Sequence, residues 1–514
     1  MMRKNNYLPV VWFVLGFGIF IFTRMSKLVP TIPVAILIAP VFILRFIRTQ
    51  PARRGILLTL LGFLVTINIG LWGIFDMGGD MASLIFNLIR STLLAILYFL
   101  PFMADRLIYP KFKERGAVAT LTFPVITTAL FFFLTIEGPF EGSYQMGKFI
   151  YGPAILKQYI SLFGLPAAVF MTSWFASVIN YWWEHDFNWT NSKKLALTYG
   201  ALVLAVIAFG AIKTSSLVVP ESETVKIASV VLNGEDGQQE KLDDMVEGKY
   251  THPYDERMSE IEKRTQIAAA NGAKIVAVHE LAMLIDEEDR EGFIARSQEI
   301  AKENNVYFVM NYGYYVKDGK GANQMLVIDD HGNTLLTYDK KYLLGIGDIG
   351  ETAVFKKGPE IMQSVDTPYG RLGVSVCREI DMAKYLVQAG RQNVDIMISP
   401  AHEWPVNLVI NFGYMRGIEN GFSVVRPTYN GISFASDFNG NVLATMDFDL
   451  AKGGIMYADV PTKGVKTLYP HIGDVFGWLC VVGALGLIIL TIVLSVRRKR
   501  QMVTDDYGAE LPAT

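Results

Sequence analysis

One cysteine stands where a protein chain can turn a thiol into a nucleophile. Cys377 ends the apolar run 371–377, which is typical of a buried strand, and the polar residues after it indicate the start of a helix. The amino terminus of a helix lowers the pKa of a thiol, and its free backbone N–H groups can hold an oxyanion. The position favours a nucleophilic cysteine, although a buried structural cysteine fits the same local pattern.

A carboxylate and an ammonium occupy comparable positions earlier in the chain. Glu280 closes the apolar run 273–280, where burial would raise its pKa toward the range of a general base. Lys340 follows a hairpin-like turn and a short strand pattern. Taken singly, Glu280 also fits a satisfied polar residue at a strand end, and Lys340 fits a solvated surface lysine, as we expect for Lys341. Taken with Cys377, they predict one site built from three strand ends.

The ordered set resembles the nitrilase, or carbon–nitrogen hydrolase, superfamily. Each signature alone is weak, whereas their order along the chain is more specific. The segments that carry the resemblance are 278–280, 338–340 and 373–379, followed by 415–421 and 426–431.

The resemblance implies a role for each of these side chains. Cys377 would be the nucleophile, Glu280 the general base and Lys340 the cation that faces the tetrahedral oxyanion. Glu379 matches a further acidic position of the nucleophile motif, with Arg378 as a supporting residue between them.

The chemistry of such a site is acyl transfer through a thioester. Glu280 would remove the thiol proton, and the thiolate would attack an ester carbonyl. Lys340 and the backbone N–H after Cys377 would stabilise the oxyanion. An amine would then attack the thioester, which requires a cleft shielded from water.

Two segments depart from the family pattern and leave parts of the site open. In the glycine-rich stretch 344–351, which we interpret as a mobile lid, either Asp348 or Glu351 could supply a second acid, and spacing favours Asp348. The loop 399–405 replaces the run usual in the acyltransferases of the family. Three of its residues, with two others nearby, are candidates to line the substrate cleft: His279, Glu351, His402, Glu403 and Trp404.

Composition places this chemistry in a membrane protein. Of the 514 residues, 51% are hydrophobic and 19% charged, with a mean hydropathy of +0.30. These values are too apolar for an ordinary soluble enzyme of this length. A net charge of -2 offers no basic surface for nucleic acid. The six histidines show no ligand spacing, so we predict neither a metal nor a cofactor.

The polar α/β segment interrupts a series of apolar runs. Each run approaches the roughly 20 residues that cross a bilayer, and we count seven before the segment and one after it. The predicted spans lie near 7–24, 29–47, 55–76, 81–103, 116–136, 159–182, 195–217 and 475–496. The predicted divisions are a membrane domain (1–218), a nitrilase-like domain (219–470), a last span (471–500) and a cytoplasmic tail (501–514).

Lys and Arg concentrate in alternate connections, ending with the cluster 497–500. By the positive-inside rule this asymmetry puts both termini in the cytoplasm and the α/β domain outside it. The predicted fold is therefore α/β plus membrane all-α, with eight transmembrane helices and an inserted nitrilase-like αββα sandwich.

This arrangement resembles the bacterial apolipoprotein N-acyltransferases. The resemblance implies a multi-pass plasma-membrane enzyme that moves a fatty acyl group from a phospholipid to the amino terminus of a lipoprotein, or to another amine. Two alternatives stay open, a membrane-tethered amidase of the nitrilase type and an inactive binding scaffold. The sequence does not define the oligomeric state.

Overall fold

The computed structural model describes residues 7–23, 30–72, 81–135, 153–215, 222–232, 254–346, 349–403 and 410–508. The chain forms two compact units. The first contains residues 1–152, 163–207 and 474–514, and the second contains 153–162 and 208–473. The functional candidates all belong to the second unit.

Apolar helices dominate the first unit because its sequence offers long hydrophobic runs whose backbone groups only a helix satisfies within one segment. In chain order they are α1 (Leu8–Phe20), α2 (Ala35–Thr49), α3 (Ala52–Gly70), α4 (Met81–Phe112), α5 (Thr122–Thr135), α6 (Ile160–Glu184), α7 (Trp189–Lys213) and the last helix of the chain, α15 (Val475–Gly508).

A helix overlaps each of the eight predicted spans, but not every one of these helices is long and apolar enough to cross a membrane. Among the described residues, five helical segments are long and apolar enough to cross a membrane: 52–70, 87–134, 160–184, 189–213 and 475–497. The second of them covers two predicted spans in one stretch of 48 residues, and the helix at 8–23 is shorter. These helices indicate a membrane protein, and the number of eight spans stays a prediction.

A buried ion pair shows how the first unit accommodates charge. Arg48 donates two hydrogen bonds of 2.8 Å to the Asp105 carboxylate, and both side chains are almost fully buried. The pair is bidentate, the geometry in which an arginine best compensates a buried carboxylate. This arginine and this carboxylate therefore neutralise each other inside an apolar unit.

The first sheet of the second unit has seven strands in the order β17-β1-β2-β4-β5-β6, with β3 paired to β4. The strands β1, β2 and β4 run parallel, and β5, β6 and β17 run antiparallel to their neighbours. The bounds are β1 (Thr224–Val231), β2 (Ile275–Val278), β3 (Met283–Asp286), β4 (Tyr307–Tyr315), β5 (Ala322–Ile328), β6 (Thr334–Asp339) and β17 (Gly454–Pro461).

The second sheet has six strands in the order β16-β15-β13-β11-β10-β9, and its centre, β10-β11-β13, is parallel. Its strands are β9 (Ser364–Thr367), β10 (Gly370–Val374), β11 (Ile396–Ile398), β13 (Ser423–Arg426), β15 (Ile432–Ser436) and β16 (Val442–Asp447). Two short pairs lie near the strand ends: β7 (Gly345–Ile346) with β8 (Ile349–Gly350), and β12 (Ala401–His402) with β14 (Thr428–Tyr429).

The two sheets share a core because alternate residues of each strand point to opposite faces. Ile227 and Val309 of the first sheet lie in the same buried cluster as Leu372 and Ile396 of the second. The opposite face of the first sheet, which includes Val276, packs against two helices. Within the described part of this unit, the α-helices are α8 (Tyr254–Ala270), α9 (Arg290–Asn304), α10 (Glu351–Val354), α11 (Ala383–Arg391), α12 (Ile410–Asn420), α13 (Phe448–Ala451) and α14 (Tyr469–Ile472).

The candidate residues follow the strand ends of both sheets. Glu280 comes two residues after β2, Lys340 directly after β6, and Cys377 three residues after β10. The carboxyl ends of parallel strands are the usual place for sites in layered α/β folds, because loops there are free of the sheet ladder.

Candidate active site

Cys377 lies at a strained turn. Its backbone has a φ of 51°, and it begins a 3-10 helix over Cys377–Asp381 rather than the α-helix that the sequence suggested. A left-handed conformation costs a residue other than glycine roughly 1 to 2 kcal/mol, so the surroundings must hold it. Part of that support is the hydrogen bond of 2.8 Å from the Cys377 N–H to the carbonyl of Pro400. The side chain is 5% exposed.

Lys340 joins two carboxylates in a buried cluster. Its ammonium donates to Oε1 of Glu280 at 2.7 Å and to both carboxylate oxygens of Glu351 at 2.9 and 2.8 Å. Burial lowers the pKa of the ammonium, but the two neighbouring carboxylates more than offset this and hold it well above its ordinary value. Lys340 is therefore held as a cation between the two carboxylates.

Two asparagines that were not predicted from the sequence hold this cluster together. Asn323 donates 2.9 Å hydrogen bonds to Glu280 and to Glu351. Its own carbonyl oxygen accepts a 3.0 Å bond from Asn311, which in turn accepts the N–H of Leu281 at 2.6 Å. The available signal was the presence of amide side chains inside two mostly apolar strands, Asn311 in β4 and Asn323 in β5, because a buried amide needs hydrogen-bond partners.

The Glu280 carboxylate also lies beside the nucleophile candidate, close enough to influence the pKa of its thiol. The Cys377 thiol donates to the carbonyl of His402 at 3.7 Å, and Oε2 of Glu280 accepts the N–H of the same histidine at 2.8 Å. Burial raises the pKa of Glu280, but Lys340 and the hydrogen bonds to its carboxylate hold it below its ordinary value. Burial and the adjacent carboxylate raise the pKa of the Cys377 thiol well above its ordinary value. The resting site is thus a thiol beside an ionised carboxylate.

Both pKa shifts run opposite to the directions expected from the local sequence around Glu280 and Cys377. Burial was expected to raise the pKa of Glu280, and a helix end was expected to lower that of the thiol. The pKa of Glu280 is lowered instead, because the ammonium of Lys340 lies within hydrogen-bond distance of its carboxylate. The pKa of the Cys377 thiol is raised instead, because burial and the negative charge of Glu280 both disfavour a thiolate.

Glu379 ties the cysteine turn to the lysine strand. Its Oε2 accepts the N–H of Val376 and the hydroxyl of Tyr338, both at 2.7 Å. Its Oε1 accepts the N–H groups of Lys341 at 2.6 Å and Tyr342 at 3.2 Å. The side chain is fully buried, so the acid predicted near the nucleophile fastens the two flanking segments to each other.

The remaining candidates differ in their positions. Arg378 follows the thiol and is half-buried. The rings of His279 and His402 lie 5.1 and 4.7 Å from that of Tyr429, and burial lowers the pKa of His402 to about 4. Both Asp348 and Trp404 lie outside the described residues.

A second buried charge pair adjoins the cysteine turn. The guanidinium of Arg426 forms an ion pair with Glu403, a candidate cleft residue. It also donates to the carbonyl of Cys377 at 3.1 Å and to the hydroxyl of Ser399 at 2.9 Å. No role for Arg426 was predicted from the sequence, although an arginine that ends the apolar strand β13 is a signal of a buried charge.

One other group of potential ligands occurs among the described residues. The ligand atoms of Asp329, Asp330 and His331 lie within 4.8 Å of one another. The carboxylate of Asp329 already accepts three hydrogen bonds within its own turn, from the N–H of His331 and from the N–H and side chain of Asn333. These bonds explain the cluster as a hairpin turn.

Comparison with known proteins agrees with the resemblance seen in the sequence. The carbon–nitrogen hydrolase family matches residues 235–469. Apolipoprotein N-acyltransferase of Geobacter metallireducens is 24% identical over 322 residues, which cover 58% of this chain and 58% of that protein. Deaminated glutathione amidase of Dictyostelium discoideum is 26% identical over 125 residues, or 22% of this chain and 42% of that protein. The chain thus matches less than two thirds of the length of these relatives.

Among solved structures, an amidase from Nesterenkonia sp. aligns with 48% of this chain and 95% of its own. The identity is 17% and the TM-score is 0.37. The matched domain and the relatives above support a membrane protein of the carbon–nitrogen hydrolase, or nitrilase, superfamily, and the chain combines a nitrilase-like domain of β-sheets with several apolar helices.

Proposed function

We propose that this protein is an acyltransferase in which Cys377 carries a fatty acyl group from a phospholipid to the amino terminus of a lipoprotein. The observation that carries the proposal is the buried cluster in which Glu280 accepts from Lys340 at 2.7 Å and lies beside the Cys377 thiol. A nucleophile, a base and a cation within mutual reach are what acyl transfer through a thioester needs.

In the first half-reaction, the ester carbonyl of a phospholipid lies against the thiol. Glu280 takes the thiol proton as sulfur attacks the carbonyl carbon, which avoids forming a free thiolate in this buried position. The charge that develops on the carbonyl oxygen is balanced by Lys340 and the backbone N–H after Cys377. The carbon–oxygen bond then breaks, and Glu280 returns the proton to the lysophospholipid alkoxide.

In the second half-reaction, the acceptor amine attacks the thioester carbon. Glu280 accepts the proton that the amine loses, and the carbon–sulfur bond breaks to restore the thiol and release an amide. Water competes with the amine at this stage, so the reaction requires a shielded cleft. The low exposure of Cys377, Glu280 and Lys340, 5%, 1% and 1%, supports this requirement.

Glu351 is the better candidate for the second acid. Its carboxylate contacts Lys340 through both oxygens and also accepts the N–H of Leu344 at 2.7 Å. Although the sequence spacing favoured Asp348, we propose that Glu351 keeps Lys340 protonated and oriented toward the carbonyl oxygen.

The proposed setting is a bacterial plasma membrane. We propose that eight helices span it, with both termini in the cytoplasm and the αββα sandwich outside, as the distribution of Lys and Arg indicates. Relatives named apolipoprotein N-acyltransferase support acyl transfer to a lipoprotein as acceptor.

An amidase remains the second candidate. Its support is the loop 399–405, which departs from the acyltransferase pattern, together with the relatives named amidase and hydrolase. In that case water would replace the amine in the second half-reaction, with the same thioester before it.

The test is acylation of the purified protein by phospholipid labelled in an acyl chain. We expect a labelled, hydroxylamine-sensitive adduct that Cys377→Ala abolishes and Cys480→Ala retains. Adding a diacylated lipopeptide should transfer the label to its amino group. An adduct formed only with a small amide, or free fatty acid as the sole product, would favour the amidase; no adduct in folded protein would refute both and leave an inactive scaffold.

A further inference from the structure

Arg426 is a fully buried cation that the proposed mechanism does not use. It ends β13, and its side chain is 1% exposed. Burying an arginine is costly unless the guanidinium finds partners. Among the described residues both Nη atoms of Arg426 have partners, whereas its buried Nε has none. Its partners therefore indicate what the residue does.

The hydrogen-bond partners of the guanidinium belong to the turn that presents the thiol and to the adjacent loop. One nitrogen, Nη1, donates to the carbonyl of Cys377 at 3.1 Å and to the hydroxyl and carbonyl of Ser399 at 2.9 and 3.4 Å. The other, Nη2, pairs with the carboxylate of Glu403, whose side chain is 16% exposed. A planar guanidinium can bridge these groups, whereas a lysine ammonium is a single point charge.

The contact with Cys377 matters because that residue has a strained backbone. Its φ of 51° needs external support, and Arg426 holds its carbonyl while Pro400 accepts its N–H. Both polar groups of the Cys377 backbone are thereby fixed. Loss of either bond would let the turn relax toward an ordinary conformation and move the sulfur.

The same two side chains also place opposite charges beside the thiol. The charged groups that face Cys377 are Glu280, Lys340, Glu403 and Arg426, and Asp381 faces the Arg426–Glu403 pair. Of these, Arg426 lowers the pKa of the thiol and Glu403 raises it. Removing one partner should therefore have the opposite effect of removing the other.

We propose that Arg426 and Glu403 form a positioning pair, in which the guanidinium fixes the strained turn of the nucleophile and the carboxylate balances its charge beside the thiol. The inference rests on the proposed function only for the identity of Cys377 as nucleophile. It assigns Glu403, in the loop that departs from the acyltransferase pattern, a role that the family resemblance does not supply.

The test is the pH dependence of Cys377 alkylation by iodoacetamide in the full-length protein, followed by peptide mass spectrometry. Sulfur displaces iodide and the thiol proton is released, so the rate reports thiolate formation without any acyl substrate. The Cys480 peptide is the internal reference. Glu403→Gln should lower the pH midpoint by about one unit, the lower end of the shift from a close charge, and Arg426→Gln should raise it.

Two further variants separate charge from geometry. Arg426→Lys should keep the midpoint near that of the unmodified protein and still reduce the rate of acyl-adduct formation at least tenfold, because the bridge to Cys377 and Ser399 is lost. The double variant Glu403→Gln/Arg426→Gln should return the midpoint toward the original value.

Glu403 is more exposed than Arg426, so its substitution should be better tolerated. If the pH midpoint of alkylation in Glu403→Gln is unchanged or raised, the inference is overturned even if the arginine variants do not fold. A full rate of adduct formation in Arg426→Lys would also overturn it. A shifted midpoint in a protein that never forms an acyl adduct would support the pair and refute the proposed function.

Discussion

Glu379→Gln should weaken both the fold and the candidate site, because one carboxylate accepts four hydrogen bonds from two segments. The donors are the N–H groups of Val376, Lys341 and Tyr342 and the hydroxyl of Tyr338. An amide has one oxygen, so its NH2 group must face the donors on one side.

The least costly orientation leaves one backbone donor without a partner. The amide oxygen then faces Lys341 and Tyr342, and its NH2 group faces Tyr338 and Val376. The Tyr338 hydroxyl can rotate to accept, because it also contacts the hydroxyl of Tyr385 at 2.8 Å. The N–H of Val376 cannot rotate, and an unsatisfied buried donor costs about 1 to 3 kcal/mol.

The assay combines thermal unfolding with acylation measured well below the unfolding temperature. At about 2 to 4 °C per kcal/mol for a domain of this size, the melting temperature should fall by roughly 2 to 12 °C. Acylation should fall about 100-fold, the scale of a 1 Å misplacement, because Val376 and Lys341 adjoin the thiol and the ammonium. Glu360→Gln is the matched control: Glu360 pairs with the Lys341 side chain from a position that is 86% exposed, and should change neither quantity. Glu379→Gln with normal melting and acylation would refute the reasoning.

Three other changes test the cluster and its support. Lys340→Met should abolish acylation and destabilise the protein by about 3 to 5 kcal/mol in denaturant unfolding, because it leaves buried carboxylates without their cation. Lys340 and hydrogen bonds hold the pKa of Glu280 below its ordinary value, so the stability and activity that depend on its ionised carboxylate are present above the ordinary value and are lost as pH falls through the lowered one. Asn323→Asp adds a negative charge beside Glu280 and should move the acid limb of the pH–rate profile upward by about one pH unit. An acid limb that does not move would contradict the contact between residue 323 and Glu280. Gly358→Ala should lower the melting temperature, because its Cβ would lie 1.7 Å from a backbone carbonyl oxygen behind the site, whereas Gly292→Ala, in open space on α9, should not.

The sequence could indicate which strand ends carry the site because chain direction and hydrophobic runs determine where buried strands stop. Glu280, Lys340 and Cys377 each follow such a run. Their pKa directions could not be predicted from those runs, because each depends on a partner distant along the chain, as the separation of 60 residues between Lys340 and Glu280 illustrates.

Other parts of the site were hidden for equally physical reasons. Asn323 and Arg426 work through side-chain contacts between distant strands, and hydrophobic periodicity records only that their strands are buried. Glu351 was reached through a glycine-rich turn, whose conformational freedom makes sequence spacing a poor guide to position. The number of spans was ambiguous because apolar helices can continue through a kink, as at Gly116 within the stretch 87–134.

The most direct measurement is the mass of the Cys377 peptide in protein isolated from its native membrane without added substrate. The account predicts a fraction of this peptide heavier by one fatty acyl group, which hydroxylamine removes, while the Cys480 peptide keeps its unmodified mass. An acyl group on any other residue, or a Cys377 peptide that stays unmodified even after phospholipid is supplied, would contradict it.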